Sequence, residues 1–272
     1  MEKTTALAKP SSRPTLSIRQ PQLRGRLRRL LLGSTGIAAL FAAWEYASRS
    51  GLANSALLPS PIAVAKLMGR MLEDGTLIAH MWASLVRAGA GFSLGFLAAL
   101  AVGCLMGTWG TARRIIGPVI ELFRPIPPFA VIPIAILWFG IGEWSKTSII
   151  AYATFFPAVL NVSAGIKQVD PVHLKVVSSL GAGRWRTFRH VTIHSALPLI
   201  ITGMKAGIGM AFVSLVAAEI VASSNGLGFL IQEGRSLFNT EQVIAGMIAI
   251  GMLGAALNGL LAALEAWLVR WK

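Results

Sequence analysis

Acidic residues are scarce in this chain: 11 Asp and Glu stand against 25 Lys and Arg in 272 residues, a net charge of +14. Cysteine is nearly absent. Cys104 is the single one, which excludes an intrachain disulfide and a cysteine-based metal site. Inside an apolar run, one small thiol reads as packing. Of the four histidines, only His190 and His194 share a helical spacing, and no carboxylate or cysteine joins them as zinc would require. The GxxxxGK[ST] phosphate loop is missing, so the chain lacks the usual means of binding and hydrolysing ATP. Neither a Ser/His/Asp set nor paired carboxylates are present, which leaves no basis for an enzyme. The expectation is of no catalytic residue, no metal and no cofactor on this chain.

What is abundant is apolar length. Hydrophobic residues make up 54% of the chain, charged residues only 13%, and mean hydropathy is +0.66, values of an integral membrane protein. The cations are not arranged as a nucleic-acid face. Eight lie in the first 29 residues, five more within 167–189, and most others flank apolar runs. Membrane topology accounts for that distribution, and no nucleic-acid partner is expected. A helix needs about 20 residues to cross a bilayer. Six runs qualify, near 30–48, 84–109, 117–140, 147–166, 198–221 and 241–268. With the N-terminus inside, 17 cations fall on the inner side and six on the outer. Both termini are therefore expected in the cytoplasm. Residues 1–29 read as a basic cytoplasmic tail and 30–272 as the transmembrane domain, with 30–48 as a retained signal anchor.

Smaller signals fill in the bundle. Ser60 before Pro61 predicts a helix start, and the spacing of Ile62, Ala65, Met68 and Leu72 against Lys66 and Arg70 predicts a short amphipathic helix. It lies either at the outer interface or over the bundle's outer mouth. Gly91, Gly95, Ala99, Gly103 and Gly107 form a small-residue stripe for close helix approach. Similar stripes run through Gly203, Gly207 and Ala211, and through Gly251, Ala255, Gly259 and Ala263. Pro125, Pro127, Pro128 and Pro133 should break the third span. Broken backbone at membrane depth is tolerated where protein covers it or where it lines a wet cavity. Arg124, Pro125, Pro127 and Pro128 are thus candidates for a pathway wall or gate, the alternative being a simple kink with Arg124 snorkelling to the inner surface. Ionisable groups within spans are functional candidates by default. Glu45, Glu219 and Glu265, near span ends, read as interface groups or structural pairing, and Lys205, two turns into the fifth span, as a further pathway candidate. Ser223 to Gly228 reads as an external turn at the outer gate.

The longest polar interruption is residues 167–197. It is too basic for hydrocarbon, and Lys167, Lys175, Arg184, Arg186 and Arg189 hold it inside. Its pattern predicts one helix over 171–180 and another over 184–194, with Gly181 and Gly183 permitting a tight turn. Leu174, Val177, Leu180, Trp185 and Phe188 would make an apolar contact face. Two readings fit: a knob that docks on a soluble partner, or an amphipathic segment that lies only on lipid.

Two strings decide between them. ELFRPIPPFAVIP over 121–133 with WFGIGE over 138–143, and SLGAGRWRTFRH over 179–190 followed by ALP at 196–198, closely resemble the permease subunits of bacterial binding-protein-dependent ABC importers, in the nitrate, sulfonate and taurine branch. The resemblance covers residues 57–268. It implies an all-α integral membrane bundle of about six spans, of the type I ABC importer permease kind, in the bacterial inner membrane. It also implies a homodimer, two cytoplasmic ABC ATPase subunits carrying ATP and Mg, and an external solute-binding protein. The cargo would be a small anion such as a sulfonate, taurine, nitrate or bicarbonate. In that family the inner loop follows E-A-A, three residues, G, nine residues, I-x-L-P. Gly181 and Val191 take the glycine and isoleucine positions. Lys175-Val176-Val177 replaces Glu-Ala-Ala, and Ile193-His194 replaces Leu-Pro. The resemblance thereby assigns ATPase coupling to Leu174, Lys175, Val177, Leu180, Gly181, Ala182, Gly183, Arg184, Trp185 and Phe188. A stand-alone secondary carrier or channel is the alternative, and the scattered charges offer it no ion-coupling cluster.

Overall fold

The computed structural model describes residues 22–50 and 57–268. The chain divides into two compact units, Met1–Ala53 and Asn54–Lys272. In the first, α1 (Gln22–Arg49) is one helix that includes the run 30–48. Near its end Arg49 pairs with Glu45 one turn earlier, so Glu45 is structurally paired as its position suggested. The basic tail before residue 22 lies outside the described residues, as do the last two cations, Arg270 and Lys272.

In the second unit every regular element among the described residues is helical. The amphipathic helix is α2 (Pro61–Glu73), and the Ser60 side chain accepts the Ala63 N–H at 3.1 Å. It lies over the bundle: Met68 and Met71 pack against Leu77, Leu227, Leu230 and Ala249. Asp74 then turns the chain. The Thr76 hydroxyl and backbone N–H donate to it at 2.7 and 2.9 Å and hold its carboxyl below the usual range.

Three long helices form the core: α3 (Thr76–Thr108), α6 (Glu143–Lys167) and α9 (Ile193–Ala222), with α6 between the other two. The first small-residue stripe explains how α3 meets α6. A Cβ on Gly95 would stand 2.3 Å from the Ala151 carbonyl oxygen, and one on Gly103 would stand 2.7 Å from Val162 Cβ. Only glycine permits backbones that close. The second stripe does the same for α9, where Gly203 faces Asn161 and Gly207 faces Thr154 of α6. The third stripe lies on α11 (Thr240–Leu268), and its Gly251 and Gly259 meet nothing within 4 Å.

The third span is broken, as the prolines require. It consists of α4 (Gly110–Phe123), a 3-10 turn at Pro128–Val131 and α5 (Ile132–Phe139), and the two parts meet at 89°. Four further helices among the described residues are long and apolar enough to cross a membrane.

Two expectations need correction. The helix after Gly183 is not a separate piece over 184–194. It starts as α8 (Arg184–Thr187), passes through a π turn at Phe188–Thr192, and continues into α9 as one 39-residue rod, Arg184–Ala222. The π turn takes in the extra residue, with the Ile193 N–H bonded to the Phe188 carbonyl. Pro198 lies inside α9 and does not end the rod. The external turn at 223–228 also leads into an unanticipated helix, α10 (Leu227–Ser236), packed on α11 and α9.

Candidate functional site

The 167–197 segment folds as a hairpin made by α7 (Pro171–Ser179) and α8. Asp170 caps α7 by accepting the Val172 N–H at 2.7 Å, with Pro171 at the first helical position. The far end closes on Gly181. Its φ is +78°, its N–H reaches the Ser178 carbonyl at 3.0 Å, and the Ala182 N–H reaches the Val177 carbonyl at 3.3 Å. This pair of bonds is a Schellman turn, whose left-handed residue is strained for anything with a Cβ. Gly183 then opens α8, its carbonyl taking the Thr187 N–H at 3.0 Å.

The expected apolar face divides in two. Leu174, Val177 and Phe188 are half-buried within the hairpin and its base. Leu180 and Trp185 are 81% and 72% exposed, and Val172 and Val176, on the same helix as Leu174, are exposed beside them. Lys175 is exposed on α7, and its carbonyl accepts the Ser178 and Ser179 hydroxyls. The tip thus presents apolar side chains with Arg184 nearby. The Trp185 and Phe188 rings stack at 6.0 Å. With Arg184 they form one wall of a groove of about 770 Å³ whose other wall is Cys104, Leu105, Thr108 and Trp109 at the end of α3.

At the broken span, the Tyr152 hydroxyl lies 2.9 Å from the Phe123 carbonyl and 3.3 Å from that of Ile126. One phenol thereby reaches the Ile126 carbonyl and shares the Phe123 carbonyl with the Ile126 N–H. Beside it lies a cavity of about 310 Å³ lined by Arg124, Pro128, Tyr152, Asn161 and Met210, among others. Arg124 and Pro128 come together there, while Pro125 and Pro127 are exposed in the turn outside its wall. Arg124 is exposed and makes no ion pair among the described residues. Lys205 does not join this cavity. It pairs with Glu265 of α11, which gives both charges a partner across two helices.

A third arrangement lies at the opposite end of α6, around Glu143. Arg87 of α3, 6% exposed, donates to Glu143 at 2.7 and 2.8 Å, to Glu219 at 2.9 Å and to the Asn225 carbonyl at 2.8 Å, and also bonds the Asn225 side chain. Glu219, wholly buried, accepts further from Ser84 at 2.9 Å and from the Gly228 N–H at 2.8 Å. Lys146 reaches Glu143 at 3.0 Å, and the Gly226 N–H donates to His80 Nδ1 at 3.0 Å. Gly226 has φ +110°, and a Cβ there would fall 2.3 Å from the Glu219 carboxylate. The knot ties α3, α6, α9 and the turn before α10 together. In the sequence Arg87 is one of the six cations counted on the outer side. A signal was available in the charge: a cation about one turn into the 84–109 run needs a partner.

A membrane bundle with a broken span, an exposed helix–Gly–helix hairpin and no phosphate loop is a transport subunit in outline, and sequence comparison decides which. The family model described as "Binding-protein-dependent transport system inner membrane component" matches residues 91–272. The chain belongs to that family. Among similar permeases is the taurine transport system permease protein TauC of Escherichia coli strain K12, 36% identical over 251 residues and spanning 90% of each chain. Another is the putative aliphatic sulfonates transport permease protein SsuC of Bacillus subtilis strain 168, 32% identical over 235 residues, 86% of this chain and 85% of that one. The fold resembles a chain of an inward-facing MetNI methionine ABC transporter, with a TM-score of 0.58 at 16% identity over 69% of this chain and 95% of the other. This ABC transporter permease is accordingly a multi-pass protein of the inner membrane.

Proposed function

We propose that the chain is the transmembrane subunit of an ATP-driven importer, and that its 167–197 hairpin is the element an ATPase subunit grips. The observation that carries this reading is the hairpin's form: a Schellman turn at Gly181 fixes two helices at an angle and presents Leu180 and Trp185 bare. Large apolar and aromatic groups on a rigid mount are what a partner's pocket takes. Because α8 continues into α9 without interruption, a push on the hairpin is carried along a single rod into the bundle. Two copies would enclose the pathway, with the Arg124 cavity and the broken span on its wall. The hairpin end is cytoplasmic, as are both termini. An external binding protein delivers cargo at the Glu143 end, and ATP and Mg belong to the ATPase partners.

The cargo we infer is a small anion of the sulfonate, taurine, nitrate or bicarbonate kind. The exposed guanidinium of Arg124, without an ion pair among the described residues and lining one cavity with Asn161, suits an oxyanion. Reconstitution tests the reading. Proteoliposomes holding the permease, its ATPase and its binding protein should accumulate one of these solutes only with ATP on the ATPase side. Uptake by the permease alone, driven by an ion gradient, would instead establish a secondary carrier.

A further inference from the structure

Beyond the transport pathway, we propose that the Lys167 end of the bundle holds a second oxyanion site, between the start of α4 and the end of α6. A cavity of about 610 Å³ opens there, with Arg113, Arg114, Ser163, Lys167, Gln168 and Glu121 on its walls. Three cations face one carboxylate, and none of these four groups makes an ion pair among the described residues. Arg113 and Lys167 are close enough to repel one another. An anion between them would turn that repulsion into two attractions.

Ser163 supplies the independent observation. It lies one turn before Lys167 on the same helix face. The residue is 3% exposed, and its hydroxyl is buried without a hydrogen-bond partner. Buried hydroxyls are ordinarily bonded, and in a helix the carbonyl four residues back is the usual recourse. Ser163 does not take it. A donor left open on the wall of a cationic cavity suits an oxygen-rich anion, which would also use the guanidinium groups and the Gln168 amide.

The shared ligand chemistry is a tetrahedral oxyanion. It comes from one of two sources: a free sulfate- or sulfonate-like ion, or the phosphate of an acidic lipid headgroup. The cavity has room for either. Its placement on the cytoplasmic face rests on the orientation proposed above. Bound there, the anion would clamp α4 to α6 directly at the base of the hairpin, which begins at Lys167. It would thus bear on how the hairpin moves.

Binding is measured without turnover, so its failure would leave the transport reading intact. The full chain in phosphatidylcholine nanodiscs is titrated with radiolabelled sulfate, and native mass spectrometry counts phosphatidylglycerol adducts when that lipid is included. Saturable sulfate binding should fall about tenfold or more in Arg113→Gln/Lys167→Gln and roughly threefold in Ser163→Ala, as lost charged and neutral hydrogen bonds imply. Arg70→Gln, on α2, should leave it unchanged. Sulfate binding lost with the double variant supports a free-ion site. Phosphatidylglycerol adducts that persist in the wild type and vanish in the double variant support a headgroup site. Should the double variant not elute as a single species, Arg114→Gln takes its place. Wild-type protein that retains neither probe, or variants that retain both at wild-type levels, would overturn the proposal.

Discussion

Arg87 Nη1 stands 2.9 Å from Glu219 Oε1, joining α3 to α9 where the two side chains are 6% and 0% exposed. Both charges are nearly out of solvent, so each depends on the other and on the hydrogen bonds around them. Removing Arg87 leaves Glu219 wholly buried and without its ion partner, which costs about 3–5 kcal/mol. Arg87→Met should accordingly lower the thermal unfolding temperature sharply in detergent, whereas Glu143→Ala should do so much less, because the Glu143 side chain is 62% exposed and Arg87 keeps Glu219. Equal effects would mean that the knot is not held by its buried half.

Close helix approach makes a second prediction. A Cβ at Gly95 would collide with the Ala151 carbonyl oxygen at 2.3 Å, a backbone atom that cannot swing aside. Gly95→Val should destabilise the bundle by roughly 1–3 kcal/mol or more, as overpacking does. At Gly69 of α2 a Cβ would meet nothing within 4 Å. Gly69→Ala should be neutral or stabilise by up to about 1 kcal/mol through helix propensity. Thermal unfolding of the two variants side by side checks the contrast.

The Lys205–Glu265 pair allows a double-mutant cycle. Polar contacts between membrane helices are worth about 0.6 kcal/mol on average and less than about 2. Lys205→Met, Glu265→Leu and the two together should give a coupling energy in that range when unfolding is measured in bicelles. Zero coupling would release Lys205 for the pathway role its sequence position suggested.

Gly181 separates docking from stability. Its φ of +78° makes any substitution locally strained by about 1–2 kcal/mol, yet a Cβ there meets nothing within 4 Å. Gly181→Ala should therefore lower the unfolding temperature of the bundle by no more than a few degrees. The same change should weaken the grip of the ATPase, measured as ATPase activity stimulated by the permease.

Much of this molecule is legible in its residues because membrane physics leaves few choices. Apolar length, the bias of cations and the prolines at 125–133 lead to the long helices and to the break. Gly181 between two amphipathic stretches leads to the hairpin. What is not legible depends on distance along the chain. Glu219 reads as a residue with a structural partner, but that partner is Arg87, 132 positions earlier, and no local pattern pairs them. The fifth span reads as starting near 198, whereas the helix runs on from Arg184 through a π turn at Phe188–Thr192 with Pro198 inside it. The cavity at Arg124 needs Tyr152 and Asn161 from another helix, and neither is distinctive in sequence. Lys205 stands out as a lone intramembrane cation until α11 brings Glu265 beside it.

The most direct test of the central claim is co-purification of the cognate ATPase with the tagged permease from detergent-solubilised membranes, for wild type, Gly181→Arg and Leu180→Glu/Trp185→Glu. The account predicts that the wild type retains the ATPase and that both variants lose it while eluting as folded, monodisperse permease. Undiminished retention of the ATPase by both variants would contradict it.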